Sequence, residues 1–165
     1  MKPTFPYLLG SLLLGGATSC SKTDAPPQET FFVQATKNSS PWSAKGTGTF
    51  SKTRQQFSVF GLIGDAGQAE TLALGFSLPA FPQLTPVQAL PARWTALIGY
   101  DGVTNSYATD AASLPSLEIT RLDTVAKVVE GRFSASLVRD KQWTSQTEVM
   151  RFTNGSFRVQ YATVP

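Results

Sequence analysis

Residues 127–138 read KVVEGRFSASLV, and this segment decides the fold class. Its apolar and polar side chains alternate: one parity holds Val129, Phe133, Ala135 and Leu137, and the other holds Glu130, Arg132, Ser134 and Ser136. A period of two is typical of a β-strand with one buried face and one solvated face. The preceding run, Leu117–Leu122, has the same character, and residues 123–126 connect the two runs. Together they predict a β-hairpin.

Short segments of the same kind, separated by Gly, Pro and Asn turns, extend through the chain from Phe31 onward. Predicted strands begin at Phe31 and cover Trp42–Phe50, Gln56–Ile63, Thr71–Phe76, Arg93–Tyr100 and Asn105–Thr109. Because Gln56–Ile63 is apolar on both parities, we expect that strand to be covered on both sides. We therefore predict an all-β domain, a single antiparallel β-sandwich or flattened barrel of about eight to ten strands.

Two segments between these strands are predicted to be irregular. Ser77–Pro91 contains four prolines, at positions 79, 82, 86 and 91, and proline donates no ladder hydrogen bond. We expect this segment to be a loop or an irregular sheet edge. Ala108–Ser113 is the one stretch that could hold a helical turn, and Pro115 would end it.

Near the end of the chain, residues 153–156 read TNGS, and Asn-Gly is the strongest short-range signal for a two-residue hairpin turn. Such a turn would place Phe152 opposite Phe157, which is favourable. It would also place Arg151 opposite Arg158, which is unfavourable unless an anion intervenes. The alternative is a bulge at the glycine that carries the strand onward.

The first twenty residues have the parts of an export signal: Lys2, the apolar run Tyr7–Leu14, and then small residues. The segment Ala17–Cys20 reads ATSC and resembles the lipobox of bacterial lipoproteins, in which the cysteine is lipidated. We therefore expect residues 1–19 to be a signal peptide, residues 20–30 to be a lipidated N-terminus with a flexible tether, and residues 31–165 to be the β domain. The alternative is an ordinary secretory signal with an incidental cysteine.

Composition excludes several classes of chemistry. The chain has no histidine and one cysteine, which rules out His-based triads, His-ligated metals, thiolate zinc sites and internal disulfides. The sparse acidic segment Asp101–Asn105 is better explained as a turn than as a calcium loop. We expect no cofactor and no metal. The formal net charge of +3 comes without any run of Lys or Arg, so we expect no nucleic-acid partner.

The tryptophans are candidate sugar-stacking residues, since an indole offers a flat apolar face. Trp143 is the best placed, because it lies in a predicted polar loop. Trp42 and Trp94 lie in predicted strands, where a tryptophan is more often a core residue. The predicted glycan-binding residues are Trp143 with Arg139 and Asp140, together with the surface of the Ser77–Pro91 loop and its Phe81.

Three short motifs carry a family resemblance: Pro41–Ala44 (PWSA), Glu130–Ser134 (EGRFS) and Thr153–Phe157 (TNGSF). Following a lipobox, they resemble a recurrent domain of uncharacterised Bacteroidota lipoproteins, a domain family of unknown function. The resemblance implies an all-β envelope lipoprotein and brings no catalytic residues to transfer.

We therefore expect a non-catalytic binding or structural module on the cell envelope, not an enzyme. Ser21 after the cysteine resembles sequences that are not retained at the inner membrane, which favours the outer membrane. The expected partners are the membrane, through the lipid anchor, and a glycan or another envelope protein. The alternatives are a glycan-active enzyme and a lipocalin-like carrier of a small apolar ligand.

Overall fold

The computed structural model describes residues 30–64, 67–80, 82–99, 102–110, 112–142 and 147–165. The fold is all-β, and the described residues form nine strands. The strands are β1 (Phe32–Lys37), β2 (Ser40–Ser51), β3 (Gln56–Gly64), β4 (Gln68–Ser77), β5 (Gln88–Ile98), β6 (Gly102–Ala108), β7 (Ser116–Asp123), β8 (Val128–Arg139) and β9 (Val149–Val164).

The nine strands form one mixed sheet in a ring-like arrangement. Their order is β1-β9-β2-β3-β4-β5-β6-β8-β7, and the additional pairings β1–β2 and β9–β8 close the ring. This arrangement is consistent with the predicted sandwich or flattened barrel, and the predicted strand number is confirmed. β8 pairs with β7 along its first half and with β6 only at Val138 and Arg139. Two different strands therefore follow one another along the same edge of β8.

The sheet is not purely antiparallel, which corrects the prediction. β1 lies between β2 and β9 and is antiparallel to both, so β2 and β9 must run in the same direction. Beyond the start of β1 these two strands pair directly and in parallel, from Gly48 opposite Tyr161 to Ser51 opposite Val164. The parallel pair is thus a consequence of inserting one short strand between two long ones.

The predicted hairpin at Asn154-Gly155 is wrong, and the bulge alternative is confirmed. β9 runs through these residues as one strand of 16 residues. Phe133 lies opposite Gly155 and Ala135 lies opposite Phe152, so three steps on β9 match two steps on β8. Phe152 and Phe157 are five positions apart, and in a regular strand they would face opposite sides. The extra residue lets both side chains enter the core.

Two further expectations are corrected. β3 is buried on one parity only, because Leu62 on its other face is 43% exposed. The Ser77–Pro91 segment ends earlier than predicted, because β5 already begins at Gln88. Pro91 is accommodated by a register shift, in which Ala73 and Gly75 of β4 pair with Arg93 and Leu90.

Part of the predicted turn after β6 is present. Ser113 N–H donates a hydrogen bond of 2.9 Å to the carbonyl oxygen of Asp110, which closes a single turn. No helix occurs in the ranges that the structure describes. Asp101 lies outside those ranges, and Gly102–Asn105 belongs to β6 rather than to a cation-binding loop.

The interior of the ring is filled by large side chains. Phe57 stacks on Phe76 with ring centroids 5.2 Å apart, and Tyr161 meets the Phe57 ring edge to face at the same distance. Near the other end of the ring, Trp94 packs on Tyr107 at 5.8 Å. Burying aromatic rings of this size is the main stabilising contribution available to a domain without disulfides.

The ring has two ends, the entry end and the far end. The entry end is the end from which the chain enters β1, and it carries the turns at residues 52–55 and 124–127 and the end of β9. The far end carries the turn at residues 38–39, the last residues of β3 and β5, and the first residues of β4 and β6.

Candidate functional site

An unbroken polar row crosses the outside of five neighbouring strands. Its members are cross-strand neighbours from β7 to β2: Glu118, Arg132, Ser156, Gln34 and Ser43. Adjacent strands are about 4.8 Å apart, so the row spans roughly 19 Å. We call this surface, together with the Asn154-Gly155 bulge and the row beside it, the bulge face.

The second row of the bulge face consists of Ser116, Ser134, Thr153 and Thr36. Four adjoining shallow depressions of about 460, 350, 410 and 290 Å³ cover both rows. Asn154 lines the first two depressions, and Thr153 lines the last two. The depressions therefore surround the bulge, and their linings combine polar with apolar side chains.

The bulge itself shapes this surface. Thr153 and Asn154 are consecutive and both exposed, which a regular strand with one buried face does not allow. Asn154 adopts a positive φ of 52°, a conformation that asparagine tolerates better than most residues. At Gly155, a Cβ atom would lie 2.5 Å from Cε1 of Phe133, so only glycine fits over that ring. The motif TNGS thus forms the bulge that exposes this surface, and it does not form a hairpin turn.

The charged groups of the bulge face are not engaged with each other. Glu118 and Arg132 are opposite one another in the register, yet no ion pair within 4.0 Å joins them to any described residue. The next row differs: Glu130 lies 3.5 Å from Arg121 and 3.1 Å from Arg158. The bulge face therefore offers both donors and acceptors to a ligand.

A second polar group, which we call the far-end cluster, consists of Lys37, Glu70, Trp42 and Trp94. Lys37 Nζ and Trp42 Nε1 both donate to Oε2 of Glu70, at 2.7 and 2.9 Å. Lys37 Nζ also lies 4.7 Å from the centroid of the Trp94 ring, within the range of a cation–π interaction.

The electrostatics of Glu70 follow from these contacts. Burial raises the pKa of its carboxyl, but the hydrogen bonds from Lys37 and Trp42 and the charge of Lys37 outweigh burial, so the pKa is lowered. Trp94 Nε1 also lowers the pKa of Glu70, although its position does not meet the geometry of a hydrogen bond. This buried N–H has no hydrogen-bond partner among the described residues. The carboxylate is thus kept ionised by the protein's own donors.

The structure describes only some of the site residues predicted from the sequence. Cys20, Phe81 and Trp143 lie outside the described residues, as does the predicted signal peptide. Trp42 and Trp94 are 6% and 4% exposed, which confirms that they belong to the core. Trp42 nevertheless lines the second depression of the bulge face.

Arg139 and Asp140 are both engaged within the chain. Arg139 Nε donates to Oε2 of Glu148 at 2.8 Å, and Oδ1 of Asp140 accepts the N–H of Gln142 at 3.1 Å. In the strand register, Arg139 lies opposite Tyr107 and Tyr107 lies opposite Trp94, so the three residues are at the same level of the ring.

The described part of the Ser77–Pro91 segment joins the sheet at a different level from Arg139 and Asp140. That segment is attached to the sheet where Ser77 pairs with Gln88, at the entry-end side of β5. Gln88 is six residues from Trp94, which corresponds to about 20 Å along a strand. The two halves of the predicted glycan site are therefore attached at different levels of the ring.

The described ranges contain no group of three or more His, Cys, Asp or Glu side chains that could hold a metal ion. Within them, no helix is long and apolar enough to cross a membrane. No family model, curated protein or solved structure matches the chain.

The bulge face was not found from the sequence, although its residues were prominent there. EGRFS and TNGSF supply Arg132, Asn154 and Ser156. A usable signal was the odd spacing of Phe152 and Phe157: two core side chains five positions apart in one strand require an inserted residue. Asn-Gly was instead interpreted by its more frequent role as a turn.

Proposed function

We propose that this protein is a lipid-anchored cell-envelope module that binds a hydroxyl-rich glycan on the bulge face, without catalysis. The observation that carries the proposal is the polar row of roughly 19 Å, whose Glu118 and Arg132 are unengaged although they are neighbours.

The chemistry of the row suits a glycan. A sugar hydroxyl both donates and accepts hydrogen bonds, so its site needs both kinds of group. Arg132 supplies donors, Glu118 supplies acceptors, and Asn154 and Ser156 supply both. Gln34 Nε2 donates to Ser156 Oγ at 3.1 Å, which orients that hydroxyl. A long, shallow surface suits an extended polymer better than a small enclosed ligand, which would occupy a deep pocket.

The alternatives receive less support. A carrier of an apolar ligand needs an apolar cavity, whereas Phe57, Phe76 and Tyr161 fill the ring. Glycoside hydrolysis usually needs two carboxyl groups across the scissile bond. On the bulge face Glu118 is unengaged, and Glu130 in the next row is held by two arginines. Binding without cleavage is therefore the better-supported function.

The anchor is part of the proposal and rests on the ATSC motif. If Cys20 is lipidated, Cys20→Ser releases the protein from the membrane fraction. Membrane association of the Cys20→Ser chain with an unmodified N-terminus would refute the anchor.

The binding test is a glycan-array screen with residues 21–165, followed by titration of any glycan that binds. Arg132→Ala is expected to weaken binding at least about tenfold, as loss of a charged hydrogen bond does. Arg93→Ala is the matched control, since Arg93 is an exposed arginine on β5, away from the bulge face. No binding to any glycan, or equal binding by both variants, would contradict the proposal.

The same screen tests the loop around Trp143. Loss of binding in Trp143→Ala, with unchanged binding in Arg132→Ala, would indicate that the glycan binds at Trp143, Arg139 and Asp140 instead of on the bulge face. Hydrolysis of an offered polysaccharide would favour the enzyme alternative.

A further inference from the structure

The entry end carries an uncompensated group of cations. Lys52 and Arg54 lie in the β2–β3 turn, and Lys127 lies in the β7–β8 turn; all three are exposed. None of them forms an ion pair with a residue in the described ranges.

The two turns lie close together, on either side of the last residues of β9. Lys52 N–H donates to the carbonyl oxygen of Val164 at 3.0 Å, and the carbonyl oxygen of Lys127 accepts the N–H of Tyr161 at 2.9 Å. The strands that carry the turns, β2 and β8, are both neighbours of β9, so the turns are separated by about 10 Å across the strands. Along β9 they are separated by about another 10 Å, because Tyr161 and Val164 are three residues apart.

The anions at this end do not cancel the cations. Asp123 lies 3.3 Å from Arg121, and its Oδ1 accepts the N–H groups of Val125 and Ala126. The carbonyl oxygen of Pro165 accepts a hydrogen bond from Ser51 Oγ at 3.2 Å. A net positive charge therefore remains at the entry end.

An apolar side chain accompanies these charges. Val125, at the tip of the β7–β8 turn, is 94% exposed, which makes it the most exposed of the large apolar residues in the described ranges. Cations beside an exposed apolar tip are the combination that favours contact with a membrane surface: the cations meet anionic headgroups, and the apolar tip enters the interface.

We propose that the entry end, through Lys52, Arg54, Lys127 and Val125, docks on a membrane surface that contains anionic phospholipids. The chain direction agrees with this orientation. β1 begins at the entry end, so Thr30 and Phe31, the described residues before it, lie on that side of the ring. Cys20 is ten residues before Thr30, a distance of at most about 35 Å for an extended chain.

This contact is independent of glycan binding and does not require lipidation. The bulge face extends toward the far end, where Lys37 of β1 pairs with Phe152 of β9. A domain docked by its entry end therefore leaves the bulge face accessible. Lipidation at Cys20 would hold the domain at the membrane, and the cations would orient it.

The test is vesicle co-sedimentation of residues 21–165, which lack Cys20 and retain every described residue. The vesicles consist of phosphatidylethanolamine with or without phosphatidylglycerol, at low ionic strength. We expect binding only to the anionic vesicles, and loss of binding in high salt because of screening. Failure of the unsubstituted chain to bind anionic vesicles would overturn the proposal.

Two matched triple variants locate the contact. Lys52→Gln, Arg54→Gln and Lys127→Gln together should weaken binding about a hundredfold, since each cation near an anionic surface contributes about fivefold. Lys45→Gln, Arg93→Gln and Lys141→Gln remove the same charge from exposed positions elsewhere and should leave binding unchanged. Equal losses in both variants would overturn the proposal in favour of a net-charge effect. Glycan binding by the first variant should be unaltered, which separates this proposal from the proposed function.

Discussion

The far-end cluster and the bulge face each contain a cation and a carboxylate on different strands, but only one of these pairs is formed. Lys37 and Glu70, with side chains 22% and 33% exposed, are 2.7 Å apart, and the Glu70 carboxylate also accepts a hydrogen bond from Trp42 Nε1. Glu118 and Arg132 are both exposed and remain apart, although the register places them opposite one another.

The difference follows from solvent access. In water, an exposed pair gains little from contact, because screening weakens the attraction and ordering two long side chains costs entropy. A partly buried carboxylate loses hydration, so it needs protein donors. The far-end cluster therefore contributes to the fold, whereas the bulge face retains groups that a ligand can use.

The largest expected effect comes from removing the indole that serves both the core and the far-end cluster. Trp42→Ala should destabilise the domain by about 4 kcal/mol, because a large buried ring is lost and Glu70 loses a donor. Trp42→Phe keeps most of the packing and should cost clearly less. Urea unfolding followed by circular dichroism measures both variants. Equal costs would mean that the hydrogen bond to Glu70, rather than the ring, dominates.

A smaller effect is expected at the bulge. Gly155→Ala should destabilise the domain by about 2 kcal/mol, since the new methyl group overlaps the Phe133 ring, and it should also reduce glycan binding. Ser156→Ala, in the next position of β9, is the control for stability and should change it by less than about 0.5 kcal/mol. If Gly155→Ala is as stable as the original chain, the bulge is more adaptable than its contacts indicate.

The smallest expected effect is the pH-dependent contribution of Glu70 to stability, which tests the contrast between the formed and the unformed ion pair. The pKa of Glu70 is lowered in the folded state, so its contribution to stability is present above the unfolded pKa, near 4.5, and is lost as pH falls through the folded value. Glu70→Gln should therefore cost about 1 kcal/mol at neutral pH. The difference from the original chain should shrink as the pH is lowered below 4.5.

Glu118→Gln is the matched control for that measurement. Glu118 is exposed and forms no ion pair with a described residue, so its substitution should leave stability unchanged within about 0.5 kcal/mol at every pH. Unfolding free energies of the three chains across the acid range provide the comparison. A pH-independent cost for Glu70→Gln would show that its charge is not what stabilises the far end.

Several features of this protein were determined by the sequence alone. The alternation in residues 127–138 identified a strand with one buried face, and Val129, Phe133 and Leu137 are indeed buried. Residues 123–126 were predicted to connect two alternating runs, and they join the paired strands β7 and β8. These features are local, because a strand's period and a turn's backbone preferences depend on neighbours in the chain.

Only the tertiary structure decided the rest. Whether Asn154-Gly155 ends a hairpin or forms a bulge depends on β1 and β8, which flank β9 on both sides of that dipeptide. Likewise, Lys37 meets Glu70, 33 positions away, only because the ring closes. The local sequence is compatible with either outcome in both cases. The choice depends on long-range pairing, where burying the core side chains favours one register over the others.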